Sequence, residues 1–157
     1  MITEKQIIEV QKLWGEGIIK IGSLKDNRSE CENYTNKFID ELYAFNSGEV
    51  LFKPTKCQTE QFRQTKPKAI SYFISGKNRA CMEDKGFALK PWTNVRFENA
   101  GLILEKSRAF CMGNYFFTDT KGNEIKVEFT FGYILIGEKL KIDLHHSSFP
   151  YSNSNNY

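Results

Sequence analysis

Apolar residues recur at every third or fourth position from Ile7 through Val10, Trp14 and Ile18 to Ile21, the period of a helix with one buried face. Thr3 stands ahead of this run with Gln6 three residues on, the spacing of a capping box. Gly15 and Gly17 interrupt the helix at a cost of about 1 kcal/mol each relative to Ala, which predicts close packing against a neighbour at those positions. Asp26 to Ser29 reads as a turn, with Asn27 or Ser29 as the next cap. A second apolar stripe follows in Cys31, Tyr34, Phe38 and Leu42, with Phe45 behind it, and is expected to stop near Asn46-Ser47-Gly48. Glu49 to Lys53 reads as a short strand halted by Pro54, residues 55–64 as irregular, and Pro67 as the start of a short third helix reaching Gly76. A loop over residues 77–90 leads into alternating segments: Trp92 to Glu98, Leu102 to Leu104, Ala109 to Thr118, Ile125 to Ile136 and Leu140 to Ser148. Asn99-Ala100-Gly101 and Asp119 to Asn123 read as turns between them.

Helices followed by a run of antiparallel strands form an α+β pattern. A strongly twisted sheet of this kind would curl around the N-terminal helices as a cone and leave a pocket between the two layers. We expect one domain over residues 1–150, with a polar, frayed tail over residues 151–157. The 157 residues, 40% of them hydrophobic, suffice for one real core. Net charge is +3 with both signs interspersed, which excludes a nucleic-acid-wrapping protein. No run of eighteen apolar residues exists to span a membrane, and the first residues lack a secretory pattern. The four cysteines have no CxxC pair. Reduced thiols in a cytoplasmic compartment are the expectation, although three disulfide pairings are open on spacing alone.

Chemistry is constrained by the histidines. There are two, His145 and His146, adjacent on a predicted strand, so only one can face a given pocket. A three-His zinc site is excluded within one chain, as are a Gly-x-Ser-x-Gly elbow and a phosphate-binding glycine loop. Along the last strand one parity shows Asp143, His145 and Ser147, the other Leu144, His146 and Ser148. Apolar Leu140, Ile142 and Leu144 would carry His146 inward, unless a bulge near Asp143 or burial of the apolar face in a dimer reverses the order. Taken singly, Thr55 after Pro54 reads as a turn hydroxyl, and Tyr72, Tyr115 and Tyr133 read as core aromatics.

Taken together, several strings are recognisable: FKPTK (Phe52 to Lys56), SYF (Ser71 to Phe73), KGFALKPW (Lys85 to Trp92), MGNYFF (Met112 to Phe117), VEFTFGY (Val127 to Tyr133) and LHHSSFP (Leu144 to Pro150). In this order, over nearly the whole chain, they resemble the iota-class carbonic anhydrases of the nuclear transport factor 2-like (SnoaL-like) superfamily, relatives of the calcium/calmodulin-dependent protein kinase II association domain. The resemblance implies a pocket in which Thr55, Tyr72, His145 and Ser147 hold bicarbonate or the attacking water. It implies a lyase of a class in which some members work without metal and others prefer manganese or zinc; the histidine count favours the metal-free branch, without cofactor. Phe73, Phe116, Phe129 and Phe131 are the candidate walls for carbon dioxide. A homodimer is expected, with Leu140, Ile142 and Leu144 supplying part of its apolar face. Two other readings accompany it. One is a non-catalytic, association-domain-like scaffold that binds a small ligand. The other is an isomerase or cyclase of the same fold, with Asp143 as base and a cavity wide enough for a polycycle.

Overall fold

A computed structural model describes residues 1–153; the expected frayed tail lies outside the described residues from 154 onward. Helix α1 spans Glu4–Ser23 and α2 Arg28–Leu42; strand β1 (Leu51–Lys53) and helix α3 (Lys66–Ile74) follow. Strands β2 (Trp92–Leu104), β3 (Arg108–Asp119), β4 (Glu124–Ile136) and β5 (Lys139–Ser148) complete one sheet in the order β1-β5-β4-β3-β2. The α+β expectation holds. Pairing is antiparallel except at the edge, where β1 joins β5 in parallel across a long connection that contains α3 and strands β2 to β4.

The first helix follows its sequence signals closely. Thr3 and Gln6 form the capping box, and Ile7, Val10, Trp14, Ile18 and Ile21 are buried. The glycines explain how closely α1 is clasped. A Cβ at Gly17 would lie 2.3 Å from the Phe38 ring on α2, and one at Gly15 would lie 3.2 Å from Val95 Cβ on β2. Asn27 caps α2, accepting from the Glu30 N–H. That helix ends at Leu42, earlier than its apolar stripe suggests. Tyr43 turns extended and bridges to Ile142, while the Ala44 N–H bonds the Ile142 carbonyl at 2.9 Å. The sheet thus takes the chain from the helix.

Two strands depart from simple alternation. The expected turn at Asn99-Ala100-Gly101 is absent: β2 runs through it with a bulge between Asn99 and Gly101. Gly113, opposite, permits the kink, since a Cβ there would lie 2.1 Å from the Glu98 carbonyl oxygen. The second bulge lies in β5. Ile142 pairs with Tyr133 and Leu144 with Gly132, which leaves Asp143 without a partner in the ladder. Leu140 and Ile142 therefore face the core, and past the bulge His145 and Ser147 face it too, while His146 is exposed. Leu140 and Ile142 are consequently spent inside the chain and unavailable to the dimer face expected of them.

Residues 54–65 and 75–91 have almost no regular structure, and a buried ion pair holds them together. The Arg63 guanidinium donates from Nη1 and Nη2 to the two Asp84 carboxylate oxygens, each at 2.7 Å, with both side chains fully buried. Ser71 Oγ donates to Asp84 Oδ2 at 2.5 Å, and Arg63 also donates to the carbonyls of Glu60 and Lys68. The Glu83 carboxylate accepts the N–H groups of Gln58, Thr59 and Glu60 at 2.6–2.9 Å. All four cysteines are free thiols. Breaking one side of a buried pair strands the other charge. Asp84→Asn is expected to destabilise the fold by about 3–5 kcal/mol in urea unfolding; a loss under about 1 kcal/mol would show that the pair does not hold the loops.

Candidate active site

The β5 bulge delivers His145 and Ser147 to the narrow interior between sheet and helices. Thr55 arrives from the loop after β1, Tyr72 from α3 and Tyr115 from β3. Thr55 Oγ1 and Ser147 Oγ lie 2.6 Å apart, and Ser147 Oγ lies 2.5 Å from the Tyr115 hydroxyl. Tyr115 also contacts His145 Nε2 at 3.1 Å. On its other side, His145 Nδ1 meets the Tyr43 hydroxyl at 2.9 Å, which in turn receives the Trp14 indole N–H at 2.9 Å. The Tyr72 hydroxyl accepts the Lys56 backbone N–H at 3.3 Å. His145 is sandwiched between Phe131 and Phe52, with ring centroids at 4.2 and 4.7 Å.

Thr55, Tyr72, His145 and Ser147, the four residues expected at the site, all line one small pocket, together with Trp14, Phe52, Pro54, Phe73, Phe87 and Tyr115. It offers about 10 Å³ for the centre of a water molecule, room for a single water. Of the four phenylalanines expected as walls, Phe73 alone lines it. Phe131 and Phe129 stand behind His145 and Tyr115, and Phe116 points to the outer face of the sheet, where Arg96 lies 4.0 Å above its ring. The Asp143 reading fails on two counts. Its Oδ2 accepts from Arg108 Nη2 at 2.7 Å outside the cavity, and no polycycle fits so small a space.

Tyr43, Trp14 and the active placement of Tyr115 escaped the sequence reading. Tyr115 carried a signal, the inward parity it shares with Cys111 and Phe117 on β3. Trp14 is hidden within an ordinary apolar stripe, and Tyr43 sits at a helix end whose position the sheet decides.

The interior has little tolerance for charge. Burial, with a smaller push from His146, holds His145 well below the usual 6.5 and hence neutral. Burial likewise raises Tyr43, Tyr72 and Tyr115 above the usual phenol value, so each remains a neutral hydroxyl. Thr55, Tyr72 and Phe87 are shared with an outer vestibule of about 660 Å³ that also includes Lys56, Lys85 and Lys90. None of these three lysines takes part in an ion pair among the described residues. No group of three or more His, Cys, Asp or Glu that could hold a metal ion occurs among the described residues.

A curved sheet packed on helices around a small aromatic-lined pocket defines a protein of the nuclear transport factor 2-like fold. A putative calcium/calmodulin-dependent protein kinase II association domain from Xanthomonas campestris shares that fold at TM-score 0.62 and 17% identity, over 96% of this chain and 89% of that one. Two similarities are closer. The crystal structure of an iota-carbonic anhydrase from a cyanobacterium, complexed with bicarbonate, superposes at TM-score 0.92 and 36% identity, over 97% of this chain and 94% of that one. A metal-independent carbonic anhydrase of Nostoc sp. (strain PCC 7120) is 38% identical over 154 residues, 96% of this chain and 75% of that protein. Residues 5–149 match the family of metal-independent carbonic anhydrases, and the chain belongs to that family.

The buried imidazole gives the site an acid limit. Its folded pKa lies below the unfolded 6.5, so between the two values only the unfolded chain binds the proton. The contribution is complete above about 6.5 and is lost as pH falls, at about 1.4 kcal/mol per pH unit. Denaturant unfolding should show lower stability at a pH of about 5.5 than at about 7.5, and His145→Asn should flatten that interval; an unchanged slope in the variant would contradict a neutral buried His145.

Proposed function

We propose that the protein interconverts carbon dioxide and bicarbonate in the small inner pocket, using hydroxyl groups in place of a metal-bound hydroxide. The observation that carries this reading is the convergence of Thr55, Ser147 and Tyr115 within 2.6 Å of their neighbours in the chain, against aromatic walls, at the boundary with a lysine-rimmed vestibule. The family membership and the bicarbonate complex of the cyanobacterial structure support it.

The physical sequence runs inward. Carbon dioxide has no net charge and passes into the cavity where Thr55, Tyr72 and Phe87 separate it from the vestibule. A molecule larger than water extends from the small pocket past these three side chains toward the vestibule. A water that donates a hydrogen bond to the Thr55 hydroxyl, which Ser147 orients, attacks the carbon. Its oxygen forms the new C–O bond, one C=O electron pair moves onto oxygen, and the water's proton passes to a second water in the vestibule. The products are bicarbonate and hydronium. Tyr72, as a neutral hydroxyl, donates a hydrogen bond to a carboxylate oxygen as negative charge grows on it, and Thr55 donates to the product once its own proton turns inward. A neutral donor in a dry cavity needs no ionised partner, which suits walls that would destabilise any fixed charge.

The vestibule takes the anion. Burial and the nearby Lys90 and Lys85 lower the Lys56 pKa, a sign that these ammonium groups crowd one another. A bicarbonate leaving the cavity relieves that repulsion. Two further features belong to this reading. The free thiols fit a reducing, cytoplasmic compartment. A homodimer would use the outer sheet face, where Ile103 and Met112 are exposed, rather than Leu140 and Ile142.

Two measurements test the proposal. In a pH-indicator assay of carbon dioxide hydration by chelator-treated protein, Tyr72→Phe and Ser147→Ala should each lower kcat/KM by about 10- to 100-fold. Full activity in the double variant would overturn the site. Replacing Lys56, Lys85 and Lys90 together by Gln should raise the KM for bicarbonate several-fold and weaken its dependence on ionic strength. The equilibrium constant ties the two directions, so kcat/KM for hydration and dehydration must fall by one factor. An unchanged bicarbonate KM would remove the lysines from the mechanism.

A further inference from the structure

We propose that Trp14 and Tyr43 are positioning residues which lock His145 in its Nε2–H tautomer and thereby set the direction of every hydrogen bond leading to the cavity. The inference rests on the site reading above and goes beyond it by assigning each proton.

The argument is an accounting of donors. An indole N–H can only donate, so in the 2.9 Å contact the Tyr43 oxygen accepts from Trp14. Tyr43 is fully buried, and its one other hydrogen-bond partner is His145 Nδ1 at 2.9 Å. Its single proton therefore points to Nδ1, which must accept. A neutral imidazole that accepts at Nδ1 carries its proton on Nε2. Nε2–H donates to the Tyr115 oxygen, and the Tyr115 proton is left for Ser147 Oγ, at 2.5 Å. The opposite tautomer would place two protons between Nδ1 and Tyr43, or turn the Tyr43 hydroxyl toward a buried space without an acceptor. An unsatisfied buried donor costs about 1–3 kcal/mol.

The freedom left in the chain sits at its far end. Ser147 can direct its proton to Thr55 Oγ1 at 2.6 Å or to the Glu128 carbonyl at 3.3 Å. In the first state the Thr55 proton turns into the cavity, where Thr55 is a donor suited to a bicarbonate oxygen. In the second, Thr55 donates to Ser147 and offers lone pairs to the cavity, where it can accept from water. A coupled rotation of the Ser147 and Thr55 hydroxyls thus exchanges a product-binding for a water-binding state. The same polarity prevents a proton from travelling from the cavity to His145, because Nε2 is already occupied. His145 orients the chain and is not the base.

Nitrogen-15 NMR of histidine-labelled protein tests this directly, since the chain has two histidines and the exposed His146 is an internal reference. At neutral pH the wild type should show His145 with an unprotonated Nδ1 and a protonated Nε2. A protonated Nδ1, or an imidazolium, would overturn the proposal whatever the activity of the Tyr72 and Ser147 variants, which report on the site separately. Trp14→Phe keeps an aromatic ring but frees the Tyr43 oxygen. It should populate the Nδ1–H form and lower kcat about tenfold or more, with a smaller change in KM. Tyr43→Phe, which removes the donor to Nδ1, should shift the same resonances. Altered tautomers with unchanged kcat would overturn the catalytic part of the inference. If Trp14→Phe fails to fold, the wild-type spectrum and Tyr43→Phe decide.

Discussion

Successive side chains of a strand must point to opposite faces, and one unpaired residue, Asp143, breaks that rule where the site begins. Before the bulge, Leu140 and Ile142 face inward and close the core beside α1 and α2. After it, His145 and Ser147 face inward, and a strand that has been packing becomes a strand that carries chemistry. Local contacts hold the bulge on both sides. Gly132 leaves the space that Leu144 needs, since a Cβ there would approach Leu144 Cβ to 2.7 Å, and Arg108 holds the displaced Asp143 carboxylate at 2.7 Å. A one-residue change in register would carry His146 and Ser148 into the cavity instead and leave no partner for Tyr43 or Tyr115.

The site divides its electrostatics between two compartments. The inner one contains neutral hydroxyls, phenols and an imidazole among aromatic rings, where burial disfavours every ionised form. The outer one gathers three lysines that form no ion pair among the described residues, beside the internally satisfied Glu83 and Asp84. A neutral gas and an anion are the two faces of the reaction, and each meets the compartment that suits it. Thr55, Tyr72 and Phe87 line both compartments, so two of the hydroxyls proposed to bind substrate also border the vestibule. Irregular loops build the mouth, and their position depends on Arg63, Asp84 and Glu83. These charged groups are satisfied among themselves and with backbone, and they fix the backbone around Thr55 and Tyr72 without contributing to the reacting face.

The helices and strands were legible in the sequence because their periods are local. The capping box at Thr3, the stripe of α1, the two packing glycines, the hairpin at Asp119 to Asn123 and the α+β order could all be read without a fold. So could Thr55, Tyr72, His145 and Ser147 as a set, though by resemblance of whole strings rather than by spacing. Singly, each looked like a turn or core residue. The end of α2, the continuous β2 and the parallel edge strand were not legible, because in each case a partner distant in sequence supplies the deciding hydrogen bonds.

The sequence by itself settled the composition of the chemistry: two adjacent histidines, no cluster spaced for zinc, and enough aromatic and hydroxyl residues to line a small cavity. Tertiary structure decided which histidine enters and which tyrosines reach it. It also decided that Trp14, an apparent core residue, directs the hydrogen bonds of the site. The reason is physical. Periodicity reports which side of an element is buried, while the direction of a hydrogen bond depends on the last few tenths of an ångström between side chains that lie 29 to 102 residues apart in the chain.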